Sequence, residues 1–515
     1  MSLTQYELAP VLTHNNHVLS QPEVAAHPTA AGRTTPEPIA PSKTRSAALT
    51  TTLACISFLN TFNTGTPTVA LPAIAAELAL PENLLLWPAS VYALGLSCTL
   101  LLMGAVADVA GNRPVFLLGA GLYAAGTLAV GLARDAAQLI VFRALQGVAM
   151  SLCMPSAVSL ITTTFPSGRM RNVAFAVFGG GSPLGFAIGL VLGGVFVQLS
   201  GWRTAFYTAA GINAVTVVLA WFALPRTTPV ANILRPRLRL DRRRLGQRVP
   251  RAVLVTYSGS VMKKPYNIVL LITAVLLVPF FVFWVGRQER LGRPAIISNS
   301  IWQKREFTTV CITVFLVWSW FNAFGYWTTL FFQTTQGLTA LEAAMRFLPM
   351  VIVGLLTNVA AGLVMDKVSA GNLVLVGGLL SAASPLLFAV QGPEWTYWAA
   401  GFPAMCLSVV STDLLFNVSN LVITNSFPSK DQALAGGVFN TVTPLGNSVG
   451  PAVTAMIASS VTRAKMGRAG VDESSATLQG YRGAFWACFA AAVISAVIST
   501  VGLRKAGKVG MKKDV

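Results

Sequence analysis

The apolar and polar positions of this chain alternate in long blocks rather than residue by residue. Twelve mainly apolar blocks each approach or exceed the length of about 20 residues that an α-helix needs to cross a bilayer. Membrane β-strands are only about half as long, so the blocks predict helices. The predicted spans are residues 49–70, 86–107, 114–133, 138–162, 172–198 and 203–224, and then 307–333, 343–364, 373–390, 395–424, 432–458 and 482–503.

Composition agrees with an all-α membrane protein. Hydrophobic residues make up 54% of the chain and charged residues only 11%, whereas a soluble domain has roughly 25% charged residues. The polar, proline-rich residues 1–48 predict a disordered cytosolic tail without a cleavable signal, and residues 504–515 predict a second tail.

The net charge of +19 would suit a nucleic-acid partner, but its distribution indicates otherwise. Eleven Lys and Arg residues fall within residues 225–264, and others cluster in the loops on the same predicted side. Cytosolic loops of membrane proteins carry such an excess of Lys and Arg. We therefore expect a multi-pass protein with both termini in the cytosol, lipid as its surroundings and no nucleic-acid partner.

A thirteenth apolar block, residues 266–286, lies in the predicted linker 225–306 between the six-helix bundles 49–224 and 307–503. One extra crossing would invert the second bundle relative to the first. The block therefore either crosses twice, paired with the weakly apolar residues 245–262, or packs at the membrane without crossing.

The two bundles share short motifs in the same order. The pattern Val-Phe-x3-Ser/Thr-Pro-Leu-Gly-x3-Gly occurs at 177–189 and again at 438–450. Three flanking motifs also recur: Gly-x3-Asp at 104–108 and 362–366, Phe-Pro-Ser at 165–167 and 427–429, and Gly-Trp/Tyr-Arg-x-Ala-Phe-aromatic at 201–207 and 480–486. This duplication predicts two parallel bundles, an architecture typical of secondary transporters.

Four motifs resemble those of the major facilitator superfamily, and the resemblance covers about residues 49–505. They are Gly104-Ala-Val-Ala-Asp108-Val-Ala-Gly111-Asn-Arg113, Arg143-Ala-Leu-Gln146-Gly147, Gly185-x3-Gly189-Leu190-x2-Gly193-Gly194 and Ala70-Leu71-Pro72. The last motif and the insert resemble the fourteen-span drug:proton antiporter branch, in particular its fungal aminotriazole-resistance type. The resemblance implies an exporter. The plasma membrane is the default location, with a vacuolar membrane as the alternative.

The resemblance also implies roles for these motifs. Gly104, Asp108, Gly111 and Arg113, with the degenerate copy at Asp366, would stabilise one conformation through contacts between the bundles; simple capping of the loop is the alternative. The fifth span also carries seven glycines that we expect to form one small-residue face packed closely on a neighbouring helix: Gly179, Gly180, Gly181, Gly185, Gly189, Gly193 and Gly194. The resemblance adds a role for Gly185, Gly189, Gly193 and Gly194 in preventing leak.

The sequence departs from the branch at two positions. Asn63 occupies the place of an Asp in the first helix, and Leu190 follows the second glycine where Pro is usual. Both departures bear on the coupling mechanism rather than on transport itself.

Ionisable residues within the spans are candidates for function because burying them is costly. Asp413 lies near mid-membrane and begins a polar stripe with Asn417 and Asn420. Other polar residues lie on the first and fourth spans of each bundle, which in the resembled family line the central cavity. They are Asn60, Asn63, Arg143, Gln146, Asn322 and Tyr326.

We hypothesise that Asp413 carries the transported proton, because an apolar environment favours a neutral carboxyl group and an approaching cation favours the charged one. The alternative is that Asp413 only holds neighbouring helices together. Arg143 is either a relay partner or cavity charge, or one member of a structural ion pair.

Trp320, Phe324 and Trp327 form an aromatic stripe on the seventh span. Such a stripe suits flat, apolar or cationic substrates, or else an aromatic surface facing lipid.

No phosphate-binding loop, metal-ligand spacing or catalytic constellation is present in the sequence, so we expect neither an enzyme nor a cofactor. The expected function is proton-coupled efflux of small organic compounds by a monomer that works by alternating access. The alternatives are a nutrient importer on the same fold and, less favoured, a membrane sensor that does not transport.

Overall fold

The structure, a computed structural model, describes residues 43–80, 84–165, 169–225, 287, 302–364, 368–426, 429–466 and 472–503. The predicted tail up to residue 42, the whole apolar insert 266–286 and the C-terminal tail 504–515 lie outside the described residues. Asp366 also lies outside them.

The first half of the chain forms six helices. The helix α1 begins within the predicted tail, at Lys43, so residues 43–48 are helical. Gly111 and Gly201 have φ angles of 96° and 87°, which only glycine adopts readily, and they mark the sharp turns before α3 and α6. The six are α1 (Lys43–Glu77), α2 (Trp87–Ala110), α3 (Asn112–Leu132), α4 (Ala136–Thr164), α5 (Arg169–Leu199) and α6 (Trp202–Ala223).

The second half also forms six helices, two of which are interrupted. They are α7 (Arg305–Leu330, followed by a π-helical turn at Phe331–Thr335), α8 (Ala340–Arg346 and Leu348–Val364), α9 (Ala370–Val390), α10 (a π-helical turn at Tyr397–Gly401, then Phe402–Ser408 and Val410–Ser426), α11 (Ser429–Met466) and α12 (Glu473–Leu503).

Both interruptions have a local cause. In α8 the break at Phe347 falls two residues before Pro349, which has no N–H to continue the hydrogen-bond ladder. In α10 the Ser381 hydroxyl of α9 enters the ladder. It donates to the Leu407 carbonyl at 2.7 Å and accepts from the Ser411 N–H at 2.8 Å, which interrupts the helix at Val409.

The prediction of an all-α membrane protein is confirmed. Within the described residues, ten of these helices are long and apolar enough to cross a membrane by length and composition. The other two, α1 and α11, have 35 and 38 residues and are rich in Thr, Ser, Asn and Gly. Both contain predicted spans, 49–70 and 432–458, and their polarity indicates burial among the other helices rather than in lipid.

Equivalent residues of the two halves make equivalent contacts. Arg203, at the start of α6, donates from Nη2 to the carbonyl of Ala133, the residue after α3, at 2.8 Å. Arg482 in α12 donates in the same way to Gln391, the residue after α9, at 3.0 Å. The recurring motif at 201–207 and 480–486 therefore has one structural role, that of fastening the third and sixth helices of each half.

The glycine motif gives a second matched pair of contacts. A Cβ atom on Gly185 would lie 2.1 Å from the Phe58 carbonyl oxygen of α1, and one on Gly446 would lie 2.6 Å from that of Phe315 in α7. Only glycine allows backbones to approach so closely. The division into separate domains at 49–224 and 307–503 stays a prediction, because the described helices belong to one compact unit.

The two halves share a hydrophobic cluster at the end of the bundle where α1, α5 and α7 end, which we call the outer end. First-half residues there pack with an aromatic group from the second half. The first-half members are Val69, Leu71, Leu86, Ala89 and Leu190, and the second-half members include Phe324, Phe331, Phe332 and Phe347. The other hydrophobic clusters of the described residues each draw on one half only.

Two further contacts hold the outer end together. The Gln333 side chain, in the turn after α7, donates to the Val69 carbonyl of α1 at 2.8 Å. Gly194 of α5 lies against α8, where a Cβ atom would be 2.9 Å from the Ala340 carbonyl oxygen. Together with the shared cluster, these contacts close the outer end between the halves.

Candidate functional site

Arg143 is a buried cation in the first half, with 1% of its surface exposed. Its Nε atom donates to the Pro88 carbonyl of α2 at 3.0 Å, and its Nη1 atom donates to the Asn63 carbonyl of α1 at 3.1 Å. Nη1 also donates to Gln146 Oε1 at 2.9 Å, and the guanidinium lies 4.6 Å from the centre of the Tyr92 ring. The guanidinium thus joins α1, α2 and α4.

No carboxylate contacts Arg143 within the described part of the chain, where the recorded salt bridge joins Arg203 to Glu77. Backbone carbonyls, an amide oxygen and an aromatic face stabilise the charge instead. A buried charge is expensive unless such groups replace its hydration. The hypothesis of a structural ion pair at Arg143 therefore finds no partner among these residues.

A polar network extends from Arg143 through the first half. Gln146 donates to the Thr127 hydroxyl of α3 at 2.7 Å. Asn63 donates from Nδ2 to the Tyr123 hydroxyl at 2.9 Å, and the Tyr92 hydroxyl donates to Asn60. The predicted cavity residues of the first half are therefore brought together, with two tyrosines that the sequence did not single out.

The network faces the second half through Tyr326 of α7, which lies within electrostatic range of Arg143 and beside Thr68 of α1. One buried atom here, Asn63 Oδ1, has no hydrogen-bond partner among the described residues. Such an atom needs a water molecule or a ligand group to satisfy it. This junction therefore contains a polar group free to bind one.

Asp413 lies in the second half, on the longer segment of α10 and against α8. A Cβ atom on Gly354 of α8 would be 3.0 Å from Asp413 Oδ2 and 3.1 Å from a methyl group of Val409. The carboxylate is hydrogen-bonded to Asn358, one turn further along α8. Asp413 is half-buried.

Asp413 and Arg143 are therefore placed on different halves, each within its own set of contacts. Asn322 of α7 is half-buried. The side chains of Asn417 and Asn420 lie outside the described residues, so the predicted polar stripe beyond Asp413 stays a prediction.

The predicted gating motif lies at the end of α2 and the start of α3. A Cβ atom on Gly104 would lie 3.6 Å from the Cβ atom of Pro155 in α4. Arg113 donates from Nη2 to the Trp221 carbonyl of α6 at 2.8 Å and lies over its ring. Asp108 is exposed, and within the described residues its carboxylate has no hydrogen bond or ion pair. In this conformation the motif fastens α3 to α6 rather than one half to the other.

The glycines of α5 do not share one face, contrary to the sequence interpretation. Gly185, Gly189 and Gly193, with Gly181, pack on α1. Gly194 packs on α8 of the other half, and the positions of Gly179 and Gly180 are open, with nothing within 4 Å of a Cβ atom. The helix therefore uses its glycines for two different contacts.

The aromatic stripe of α7 lies inside the second half. Trp320, Phe324 and Trp327 are at most 4% exposed. Phe324 packs edge-on against Phe388 and Phe485, and Trp327 donates from its indole N–H to the Thr454 hydroxyl at 2.9 Å. In this conformation the stripe is part of the core and offers no surface to a substrate or to lipid.

Sequence reasoning missed the groups that contact the two charges. Tyr92 and Tyr123 lie in apolar segments, and Asn358 and Gly354 belong to a helix chosen only for its hydrophobicity. A polar residue one turn after a glycine within an apolar span was the available signal for Asn358. Ser381 gave no signal, because its insertion into α10 depends on the packing of two helices.

An all-α bundle built from two like halves, with a buried cation in one half and a half-buried carboxylate in the other, is the architecture of a membrane transporter. The sequence profile of the Major Facilitator Superfamily matches residues 53–451. The chain belongs to this superfamily, and it is a multi-pass membrane transporter rather than an enzyme.

Relatives of known name differ in what they transport. The chain is 42% identical to MFS-type transporter 1 of Pyricularia oryzae, over 96% of this chain and 91% of the relative. It is 26% identical to a low affinity ammonium transporter of Saccharomyces cerevisiae, over 77% and 76% of the two chains. It is 24% identical to the multidrug transporter mfsC of Aspergillus fumigatus, over 88% and 85%. The multidrug transporter fits the predicted drug-efflux branch, and all three relatives come from fungi.

Solved structures share the fold. The structure matches a bacterial homologue of the human lysosomal transporter Spinster, crystallised in an inward-facing and unoccupied conformation, with a TM-score of 0.66 and 17% identity. The match covers 90% of this chain and 98% of the homologue.

Proposed function

We propose that this transporter exports small organic compounds in exchange for protons, by alternating access, as a monomer. The named multidrug relative supports export of organic compounds. We place the protein in the plasma membrane, with a vacuolar membrane as the alternative, and both termini in the cytosol, because Lys and Arg concentrate on that side.

The observation that carries the proposal is the position of Asp413. This carboxylate lies in a membrane-spanning helix, half-buried, with a neutral amide as its hydrogen-bond partner. A carboxyl group in such a place can gain and lose a proton as its surroundings change between two conformations. The alternative role of holding helices together requires only the hydrogen bond and not the charge.

Arg143 would act as the fixed charge of the cavity. Its contacts join three helices of the first half, and the unsatisfied side-chain oxygen of Asn63 lies in the same polar network. We propose that substrate polar groups bind there, with Asn60, Gln146 and Asn322 lining the same pathway. The aromatic stripe of α7 would contact substrate only in a conformation that separates α7 from the residues packed on it. Its members are Trp320, Phe324 and Trp327.

Closure of the outer end supports an inward-facing state. In the outward-facing state Asp108, exposed here, would bind the opposite half near α11, as the gating hypothesis requires. Gly185, Gly189, Gly193 and Gly194 would seal the pathway against leak through their backbone contacts.

The test of coupling is Asp413→Asn, which keeps the size and hydrogen bonding of the side chain and removes its titration. An exported compound is first identified in a drug-sensitive yeast that expresses the wild-type protein. The yeast is tested for resistance to a panel of weak acids, neutral aromatics and organic cations. In proteoliposomes with an imposed pH gradient, we expect the variant to lose uphill transport of that compound and to keep downhill exchange.

The exposed Asp472 provides the matched control, since Asp472→Asn makes the same chemical change outside the spans. Uphill transport retained by Asp413→Asn at normal expression would exclude Asp413 as the proton carrier.

A nutrient importer on the same fold is the second candidate, favoured by the named ammonium transporter among the relatives. Uptake of radiolabelled methylammonium by yeast lacking its own ammonium transporters distinguishes it. Import without export of any compound on the panel would favour this candidate.

A further inference from the structure

The surroundings of Asp413 contain a second helix that no sequence motif indicated. The α8 helix approaches the carboxylate at Gly354, where the missing side chain leaves room for Oδ2. An added Cβ atom at 3.0 Å would be tighter than ordinary van der Waals contact, so Asp413 Oδ2 would have to shift by a few tenths of an ångström.

Asn358 follows Gly354 by one turn and lies on the same side of α8. Its Nδ2 atom donates to the Gly354 carbonyl at 3.0 Å, which fixes the amide group. The side-chain amide of Asn358 also hydrogen-bonds the Asp413 carboxylate. An amide nitrogen has two N–H groups, so both bonds can form at once.

Few charged groups face Asp413 from the helices packed around it. The described segments of α8 from Leu348 and of α9 contain no Asp, Glu, Lys, Arg, His, Cys or Tyr. On α7 the buried titratable groups are Cys311 and Tyr326. On α11, Lys430 and Asp431 occupy the first turn, and their side chains lie outside the described residues.

We propose that Asn358 is a positioning residue of the proton site, and that with Gly354 it sets the pH at which Asp413 binds its proton. This inference rests on the proposed function. An N–H donor stabilises the charged carboxylate more than the neutral acid, because the charged acceptor forms the stronger bond. Loss of this donor would therefore favour the protonated form of the Asp413 carboxyl group.

The placement of Asn358 on α8 also connects proton release with conformation. The break at Val409, which Ser381 maintains, lies one turn before Asp413. A bend at this break would move the carboxylate relative to α8 and would lengthen or shorten its bond to Asn358. Proton affinity would then differ between the two conformations, as coupling requires.

The experiment measures the proton on Asp413 directly, by infrared spectroscopy of the full-length protein in lipid nanodiscs. The probe is the proton itself, titrated through the carboxylic-acid C=O band that disappears in Asp413→Asn. We expect Asn358→Leu to raise the pH at which this band is half-formed by about one unit, roughly the effect of one lost donor.

Two further variants test the geometry. Asn358→Ser keeps a donor and should return the midpoint part of the way to the wild-type value. Gly354→Ala pushes the carboxylate away from the amide and should raise the midpoint as well. Asn372→Leu, at an exposed Asn of α9, is the matched control and should change nothing.

The outcomes separate this inference from the proposed function. A band midpoint unchanged in both Asn358→Leu and Gly354→Ala, with uphill transport still lost in Asp413→Asn, would overturn the positioning role and leave proton coupling intact. Uphill transport retained by Asp413→Asn would instead overturn the proposed function. Gly354→Ala keeps the test decisive if Asn358→Leu does not fold.

Discussion

At the scale of single residues, the two charges are stabilised in opposite ways. Arg143 is almost completely enclosed and is fixed by carbonyl oxygens and a tyrosine ring. Asp413 is half-buried and rests against a glycine and one amide. The surroundings of Arg143 suit a permanent charge. Those of Asp413 suit a group that gains and loses a proton, because a carboxylate can be neutralised at little cost and a guanidinium cannot.

The fork geometry of Arg143 leads to a prediction about lysine. Arg143→Lys keeps the charge but cannot reach Pro88, Asn63 and Gln146 together, since an ammonium is a point charge on a flexible stem. We expect both Arg143→Lys and Arg143→Leu to destabilise the protein by about 2 kcal/mol or more, because buried acceptors lose their donors. Heat-induced loss of the monodisperse peak in size-exclusion chromatography measures this.

The control for Arg143 is Arg134→Leu, at an exposed position just before α4. It should leave the thermal transition within experimental error. Wild-type thermal stability in Arg143→Lys would show that the site requires only a positive charge, and not the guanidinium hydrogen bonds to α1, α2 and α4.

At the scale of helices, glycine decides which surfaces meet. The contacts of Gly185 with α1 and of Gly446 with α7 are equivalent, so the duplication preserved a packing mode rather than a chemical group. The open position at Gly180, five residues before Gly185, shows that composition alone does not identify a packing face.

The closely packed and the open glycine positions of α5 predict opposite effects of a Gly→Ala substitution on protein stability. Gly185→Ala places a Cβ atom 2.1 Å from the Phe58 carbonyl oxygen, so α1 and α5 must separate. We expect a loss of about 1–3 kcal/mol, the usual effect of overpacking. Gly180→Ala meets no atom within 4 Å and should be neutral or stabilise by up to about 1 kcal/mol through helix propensity.

Thermal denaturation of the two purified variants beside the wild type tests this pair. The second-half counterpart Gly450→Ala, whose Cβ atom would lie 2.0 Å from the Ser319 carbonyl oxygen, should behave like Gly185→Ala. Equal stability of Gly185→Ala and Gly180→Ala would show that the α1–α5 contact adapts without loss.

At the scale of the whole molecule, the halves are joined at the outer end by apolar packing and few polar bonds. The Gln333 bond to the Val69 carbonyl and the contact of Gly194 with α8 lie beside the shared cluster. Contacts of this kind can separate without leaving an unpaired charge. Such an interface suits a closure that must open in every transport cycle.

A large side chain at Gly194 should hold the outer end open. In Gly194→Trp the indole would have to fit where a single Cβ atom already lies 2.9 Å from Ala340 and 3.1 Å from Ala344. We expect the population to shift toward the outward-facing state. The distance between spin labels at Leu199 and Met345, both exposed near this contact, should lengthen.

The control is Gly211→Trp, at a position on α6 with no atom within 4 Å of a Cβ. It should leave the distance distribution unchanged. An unchanged distribution in Gly194→Trp would mean that the α5–α8 contact does not close the outer end.

The sequence by itself determined the all-α class, most of the membrane-spanning helices among the described residues and the motifs that recur in the two halves. Length and hydrophobicity fix a membrane helix, because its backbone must satisfy its own hydrogen bonds. The motif that recurs around Arg203 and Arg482 predicted equivalent positions. In the structure each arginine donates to the backbone carbonyl just after the third helix of its half. The sequence also predicted that Asn63, Gln146 and Arg143 lie together, since polar residues in spans avoid lipid, and in the structure Arg143 donates to the other two.

Only the tertiary structure decided which groups stabilise those charges and where the helices break. The contact of Asp413 with Gly354 and Asn358, and the insertion of Ser381 into α10, join residues far apart in the chain. Periodicity describes one helix at a time and cannot tell which neighbour its polar face will meet. The aromatic stripe of α7 shows the same limit, because a row of Trp and Phe is identical in sequence whether it faces a cavity, lipid or, as here, a packed core.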